Sequence, residues 1–167
     1  LRAAIAALYD TQSDDNVLVT HGTIGANMLV HKTLVDHGDR VISIVPTYQQ
    51  HYSIPKSIGA EIELLQLRED MGWLPDLDVL RKLSAAGAKL IALTNPNNPT
   101  GALIPREMLE EIANIAREVD AWVLCDEVYR GTDQHGQGMT ASMADIYEKG
   151  ISTAGMSKAY SLAGLRL

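Results

Sequence analysis

Short apolar runs alternate along this chain with longer segments in which apolar residues recur every three or four positions. The short runs predict β-strands, and the longer segments predict helices or partial helices. The predicted strands span residues 17–20, 41–45, 62–67, 90–94, 122–126 and 151–154, and the predicted helices span residues 1–9, 22–37, 48–58, 76–86, 105–118 and 139–148. We expect Pro55 to interrupt the third helix, because proline removes a backbone hydrogen bond.

This alternation predicts an α/β fold with a mainly parallel sheet flanked by helices on both faces. No repeat, low-complexity tract or linker divides the sequence, so we expect a single domain over residues 1–167. The chain begins with Leu1 rather than Met and ends at Leu167 inside an apolar run, and we expect the domain to be incomplete at both ends. Ligands of such sheets bind beyond the carboxyl ends of the strands, so chemistry is expected in the loops that follow them.

Composition narrows the classes of function. The formal net charge is −7, with 14 Lys and Arg against 21 Asp and Glu, which argues against non-specific nucleic-acid binding. No apolar run reaches the roughly 18 residues of a membrane span. The single cysteine, Cys125, excludes an internal disulfide framework and fits a reducing compartment. We therefore expect a cytoplasmic protein without nucleic-acid or membrane partners.

Three loops after predicted strands carry residues suited to ligand binding. Residues 20–26 are mostly small and open a helix, where backbone N–H groups and the helix dipole favour a phosphate, although a plain tight turn fits equally well. Tyr48 follows the second strand, where its ring is placed either to stack on a planar ligand or to cap the core. Residues 95–101 form a stiff loop whose asparagines suit an anchored ligand oxygen.

Two charged residues in the remaining loops are candidates for chemistry. Asp126 ends an apolar strand, where an unpaired carboxylate would be costly, so it must have a partner. A structural ion pair and a functional role fit Asp126 equally well. Lys158 lies just beyond the sixth predicted strand, and we expect partial desolvation to favour nucleophilic chemistry by its amine. A solvated surface lysine is the common alternative. Only the candidate ligand-binding residues in the other loops argue against it.

Three motifs taken together resemble the fold-type I pyridoxal-phosphate enzymes of the class I and II aminotransferase family. They are NPNNPTG at residues 95–101, DEVYR at 126–130 and SKAYSLAGLR at 157–166, in the family's order and with similar spacing. The resemblance covers essentially the whole chain, as the large cofactor-binding domain. It implies that an N-terminal segment and a C-terminal small domain are absent, and that the cofactor is pyridoxal 5'-phosphate. It also implies that the full-length protein is a homodimer that moves an amino group between an amino acid and a 2-oxo acid.

The resemblance implies a role for each site residue. Lys158 matches the lysine that carries the cofactor as a Schiff base and moves the α-proton, and Asp126 matches the acid that keeps the pyridine nitrogen protonated. Tyr129 and Asn98 match the residues that contact the ring hydroxyl. Tyr48 matches the aromatic side chain stacked on the ring. The implied phosphate cradle consists of Gly22, Thr23, Ile24, Ser157 and Arg166.

One position departs from the family pattern. Many relatives carry Ser or Thr three residues before the lysine as a further phosphate ligand, whereas this chain has Gly155. We therefore expect the cradle to depend more on Arg166 and on backbone N–H groups.

Three alternatives stay open at this point. Residues 122–127 resemble the strand-then-acid segment of nucleotide-binding α/β proteins, but no G-x-x-x-x-G-K-[ST] loop is present. Lyases and cyclases of the same fold keep the same lysine, aspartate and tyrosine, so these residues do not separate them from aminotransferases. The third alternative is a fragment that binds cofactor weakly and does not turn over.

Two smaller expectations concern the remaining polar residues. A metal site is not expected, because the five histidines show no ligand spacing. These histidines are His21, His31, His37, His51 and His135. Residues 48–51 are candidates to line the substrate pocket, with no substrate assigned to them.

Overall fold

The computed structural model describes residues 1–132 and 139–167. Within these residues the chain forms six α-helices and five β-strands. In chain order they are α1 (Arg2–Ala6), α2 (Gly22–Leu34), β1 (Arg40–Val45), α3 (Gln50–Ile58), β2 (Glu61–Gln66), α4 (Leu77–Ser84), β3 (Leu90–Thr94), α5 (Arg106–Glu118), β4 (Trp122–Asp126), α6 (Met143–Ile146) and β5 (Gly150–Thr153). Single 3₁₀ turns lie at Asp14–Asn16, Glu69–Met71 and Ala163–Leu165.

The five strands form one sheet in the order β2-β1-β3-β4-β5, and every pair is parallel. β3 lies in the centre, and all of its residues are buried. Parallel strands require crossover connections, and helices α3 to α6 supply the connecting segments between them. The predicted α/β class with a parallel sheet is confirmed.

Helices cover both faces of the sheet. Side chains alternate along each strand, so Ile91 and Leu93 of β3 enter the larger core, which α4, α5 and α6 complete. Leu90 points to the opposite face, where it joins a smaller core with Val35 and residues of α2. α5 shows why the sequence forms these layers, because its inward stripe, which includes Ile112, is fully buried.

The predicted strand at residues 17–20 is wrong. These residues adopt no regular structure and pair with no strand in the described part of the chain. Leu18 is 71% exposed and Val19 is 38% exposed. An apolar run forms a strand only if a neighbouring strand offers hydrogen-bond partners. In the described residues, the first strand of the sheet along the chain is β1, which starts at residue 40.

Several helix boundaries also differ from the expectations. Pro55 does not interrupt α3, which continues to Ile58 and ends at Gly59 with φ of 92°. The helix forgoes one hydrogen bond at this proline, which is buried. α2 ends three residues before the predicted boundary at residue 37, because Val35 leaves the helix in an extended conformation and is buried against the sheet. In the described residues no helix is both long and apolar enough to cross a bilayer.

Candidate active site

The loops that follow β1, β3, β4 and β5 meet at one edge of the sheet, because the strands are parallel. Hydrogen bonds join neighbouring loops in the same order as the strands. The hydroxyls of Thr47 and Thr94 lie 2.9 Å apart, and the backbone N–H of Asn95 donates to the carbonyl of Asp126 at 2.9 Å. The N–H of Glu127 donates to the carbonyl of Thr153 at 2.7 Å. This edge is therefore a continuous, hydrogen-bonded surface.

Asp126 ends β4 and is buried at this edge, with 4% of its surface exposed. The side-chain amide of Asn27 donates to Asp126 Oδ2 at 2.8 Å, and the N–H of Val128 donates to Oδ1 at 3.1 Å. His51 Nε2 lies 3.4 Å from Oδ2, at ion-pair distance but without hydrogen-bond alignment. The expectation that this carboxylate has a partner is confirmed, and the nearest donor is an amide rather than a cation.

Lys158 and Tyr129 are brought together by the loops after β5 and β4. The Lys158 ammonium lies 5.9 Å from the centre of the Tyr129 ring. Tyr129 is half-buried, whereas Lys158 is exposed. The expected partial desolvation of Lys158 is therefore wrong for this chain, because no described segment covers the end of the loop that carries it.

Arg166 reaches the first turn of α2, the predicted phosphate site. The N–H of Gly22 donates to the carbonyl of Arg166 at 2.9 Å, and Gly22 has φ of +65°. A Cβ at residue 22 would lie 2.9 Å from Arg166 Nη2, so only glycine leaves room for the guanidinium. The first turn of α2 contains no acidic residue. The positive end of the helix dipole and the arginine charge thus act on the same place.

Thr23 connects this turn to the lysine loop. Its hydroxyl donates to the carbonyl of Ala154 at 3.1 Å. A Cβ at Gly155 would lie 2.5 Å from Thr23 Oγ1, so the hydroxyl occupies the space that a side chain at residue 155 would need. Glycine at residue 155, where many relatives carry Ser or Thr, therefore leaves the space that the hydroxyl of Thr23 occupies.

The other predicted site residues lie at or near the same edge and make fewer contacts. Tyr48 is 49% exposed and follows β1, and Asn98 is half-buried in the loop after β3. Ser157 is half-buried beside Lys158. No side-chain hydrogen bond joins any of these three to another described residue. Ile24 is 48% exposed, and its carbonyl accepts a hydrogen bond of 2.6 Å from Gln50.

Sequence reasoning missed a buried polar cluster in which Asn27 donates to Asp126, His51 lies beside Asp126, and Gln50 accepts from Asn27. Asn27, Gln50 and His51 are all buried. The expectation that residues 48–51 line a substrate pocket is therefore wrong for Gln50 and His51. The rings of His51 and His31 are fully buried, and their centres lie 6.2 Å apart. A signal was present, since Asn27 and His31 stand four residues apart, on one face of α2.

Glu127 anchors the loop that carries Tyr129. Its Oε1 accepts hydrogen bonds from the hydroxyls of Ser142 and Ser152 and from the N–H of Met143, at 2.7 to 3.0 Å. Burial raises the pKa of this carboxyl, and the hydrogen bonds from Ser152 and Met143 oppose that rise. Arg130 lies beside it and donates to the carbonyl of Thr140 at 2.8 Å.

In residues 1–132 and 139–167, no group of three or more His, Cys, Asp or Glu side chains converges. His135, one of the histidines considered above, lies outside the described residues. The edge of the sheet combines a buried acid, a lysine beside a phenol, and an arginine beside a helix start.

Known proteins similar to this chain include named aminotransferases. A solved PLP-dependent aminotransferase from Streptococcus suis superposes with a TM-score of 0.94 at 47% identity, over 99% of this chain and 43% of that one. Aspartate/prephenate aminotransferase of Thermus thermophilus is 26% identical over 100% of this chain and 44% of its own length. Capreomycidine synthase of Streptomyces vinaceus is 32% identical over 100% of this chain and 43% of its own length.

This chain therefore spans less than half the length of these relatives. The family model for aminotransferase class I and II matches residues 1–167. A nucleotide-binding protein of another family is excluded by this match. The chain belongs to the aminotransferase class I and II family.

Proposed function

We propose that this chain is the cofactor-binding part of a longer pyridoxal-phosphate-dependent aminotransferase, and that Lys158 bonds the cofactor. The observation that carries the proposal is the meeting of three groups at one edge of the sheet. Lys158 lies 5.9 Å from the ring centre of Tyr129, and Tyr129 follows the buried Asp126 by three residues. An amine that can form a Schiff base and a carboxylate for the pyridine nitrogen are the groups that bind this cofactor.

The residues present fit the cofactor at its phosphate end as well. Arg166 lies against Gly22 at the start of α2, which has no acid in its first turn. A dianion beside Gly22 would meet the guanidinium and the N–H groups of Thr23 and Ile24, with Ser157 nearby on the lysine loop. The N–H of Gly22 itself already donates to the carbonyl of Arg166. The hydroxyl of Thr23 already donates to the carbonyl of Ala154, so Thr23 would contact a phosphate through its backbone N–H.

When bound, pyridoxal phosphate supplies an electron sink for charge that develops at the substrate Cα. Asp126 would accept the hydrogen bond of the ring nitrogen and keep its proton in place. Tyr129 and Asn98 would contact the ring hydroxyl, and Tyr48 would lie against the ring. The amine of Lys158 would take the substrate α-proton as general base and later give it up as general acid. The substrates are an amino acid and a 2-oxo acid.

The full-length protein is proposed to be a homodimer in the cytoplasm. Three apolar side chains on α2, those of Ile24, Met28 and Leu29, are 43% to 48% exposed. A second copy would remove such a surface from water. The one cysteine, Cys125, is buried and unpaired, which supports a reducing compartment.

A same-fold lyase or cyclase is the second candidate, since one relative at 32% identity is named a synthase, not an aminotransferase. A fragment without turnover is the third, because the chain covers less than half of its relatives. Incubation with pyridoxal phosphate, borohydride reduction and peptide mapping tests the cofactor site. We expect the label on Lys158 and none in Lys158→Ala, and a label elsewhere would contradict the proposal.

Reaction type requires a second assay on the full-length polypeptide. Amino acids are offered one at a time, with and without a 2-oxo acid. An aminotransferase forms a new oxo acid only when the second substrate accepts the amino group. A lyase releases ammonia or a thiol without an acceptor, and a cyclase yields a ring product. Turnover by the full-length polypeptide and none by residues 1–167 alone would identify this chain as the inactive fragment.

A further inference from the structure

Asn27 occupies the space behind the buried acid and uses all of its hydrogen-bonding groups. It lies on α2 and is 1% exposed. Its Nδ2 donates to Asp126 Oδ2 at 2.8 Å and to Gln50 Oε1 at 3.3 Å. Its Oδ1 accepts from the hydroxyl of Thr153 at 2.7 Å. One amide therefore joins α2, α3 and the ends of β4 and β5.

The neighbours of Asn27 determine which way its amide points. The Asp126 carboxylate only accepts hydrogen bonds, so the amino group of Asn27 faces it, and the amide oxygen faces the hydroxyl of Thr153, which donates to it. Gln50 is oriented in turn, because its own amino group donates to the carbonyl of Ile24 at 2.6 Å and leaves its oxygen toward Asn27. A reversed Asn27 would set its oxygen against the carboxylate and against the oxygen of Gln50. The network therefore has one consistent arrangement.

The consequence for Asp126 is a carboxylate held at both oxygens. Oδ2 accepts from Asn27 and Oδ1 accepts from the N–H of Val128. Neither donor is a cation, and the nearest ring, His51, faces Oδ2 at 3.4 Å without hydrogen-bond alignment. Rotation of the carboxylate would break two hydrogen bonds in a site from which water is nearly excluded.

We propose that Asn27 is a positioning residue that orients Asp126 toward the ring nitrogen of the cofactor, with Thr153 donating to the oxygen of its amide. The inference rests on the proposed role of Asp126. The same helix that begins at the phosphate site with Gly22 thus also holds, five residues later, the acid for the opposite end of the cofactor. Asn27 acts through Asp126 and does not touch the cofactor.

The test is cofactor binding by the full-length polypeptide with two probes. One probe is pyridoxal phosphate, and the other is its carbocyclic analogue, in which carbon replaces the ring nitrogen. The ratio of their dissociation constants measures what the ring nitrogen contributes. A merely structural role of Asn27 would weaken both probes alike and leave the ratio unchanged. The variants are Asn27→Leu, Asn27→Ser and Thr153→Val.

We expect the wild type to prefer pyridoxal phosphate, and Asn27→Leu to reduce that preference roughly tenfold or more, because one charge-assisted hydrogen bond is lost. Thr153→Val should reduce it less, since the hydrogen bond from Asn27 to Asp126 stays and only the donor to the amide oxygen is lost. Ile112→Val, in the core on the other face of the sheet, is the matched control for lost stability and should keep the preference.

The outcomes separate this inference from the function it rests on. Folded variants at Asn27 and Thr153 that keep the wild-type ratio would overturn the role of Asn27 and leave that of Asp126 intact. A wild type that binds both probes equally would overturn the role of Asp126, and the inference with it. If Asn27→Leu does not fold, Asn27→Ser and Thr153→Val decide by the same ratio.

Discussion

The hydroxyl of Thr23 lies in the space that a side chain at Gly155 would occupy, since a Cβ there would approach it to 2.5 Å. Thr23 belongs to the first turn of α2, and Gly155 to the loop that carries Lys158. The contact therefore sets how closely the phosphate site and the lysine loop approach. Glycine at residue 155 is required by its neighbour rather than by its own backbone, which has no positive φ.

Gly155→Ser should destabilise the protein by about 1–3 kcal/mol, the usual cost of forcing extra atoms into a packed site. Urea unfolding measures the change in the free energy of unfolding. Thr23→Ala in the same chain should recover most of the loss, because it removes the clashing hydroxyl. Gly164→Ala is the control, since nothing lies within 4 Å of that position. Additive effects of the two substitutions would contradict the contact.

Gly22→Ala should weaken binding of pyridoxal phosphate more than binding of pyridoxal, which lacks the phosphate. Alanine is strained at a φ of +65°, and its Cβ would lie 2.9 Å from Arg166 Nη2 and push the guanidinium away. Arg166→Ala should have the same selective effect, of roughly tenfold or more, through loss of a charge-assisted contact. Equilibrium binding of both aldehydes to the full-length polypeptide checks this. An equal loss for both would argue against a phosphate site here.

The sheet, its helices and the edge that carries the site could be predicted from the sequence. The spacing of apolar residues and the position of loops after strands are both local signals. β3 and β4 were predicted with their observed boundaries. The strand at residues 17–20 was not distinguishable from a real one, since Leu18 and Val19 are apolar but find no pairing partner. Strand formation depends on a neighbour that is distant in sequence.

The supports of the site could not be predicted in the same way. Lys158, Asp126 and Tyr129 lie in motifs, whereas Asn27 and Thr153 contact each other across 126 positions of sequence. The spacing of Asn27 and His31 places them on one face of α2, but it does not indicate that this face meets the end of β4. Exposure of Lys158 was also unpredictable, because it depends on which segments cover the loop.

Glu127→Ala should destabilise the protein by about 2–4 kcal/mol. The substitution leaves two hydroxyls and the N–H of Met143 without their acceptor in a buried site. It should also loosen the loop that carries Tyr129, which hydrogen exchange of residues 127–132 would detect. Glu148→Ala is the matched control, because Glu148 pairs with Arg117 at the surface, where an ion pair contributes little. Equal effects of the two substitutions would contradict the anchoring role.

The final prediction concerns acid stability and His31. Burial, and then the neighbouring His51, lower the pKa of His31 from 6.5 to about 4. In the unfolded chain the same imidazole takes up a proton near pH 6.5, so below that pH the unfolded state binds more protons than the folded one. The free energy of unfolding should therefore fall as the pH drops from 6.5 toward 4. His31 alone accounts for a loss of about 3 kcal/mol over that range.

Urea unfolding at several pH values between 7 and 4, in wild type and in His31→Leu, isolates this contribution. The variant should show a smaller loss with acid, because it has no imidazole to protonate on unfolding, whatever its stability at pH 7. His37→Gln is the control, since His37 is exposed at the surface. Parallel pH profiles for wild type and His31→Leu would show that His31 is protonated to the same extent in both states. The ring would then have to gain access to water or to an acid within the fold, and its burial beside His51 would be wrong.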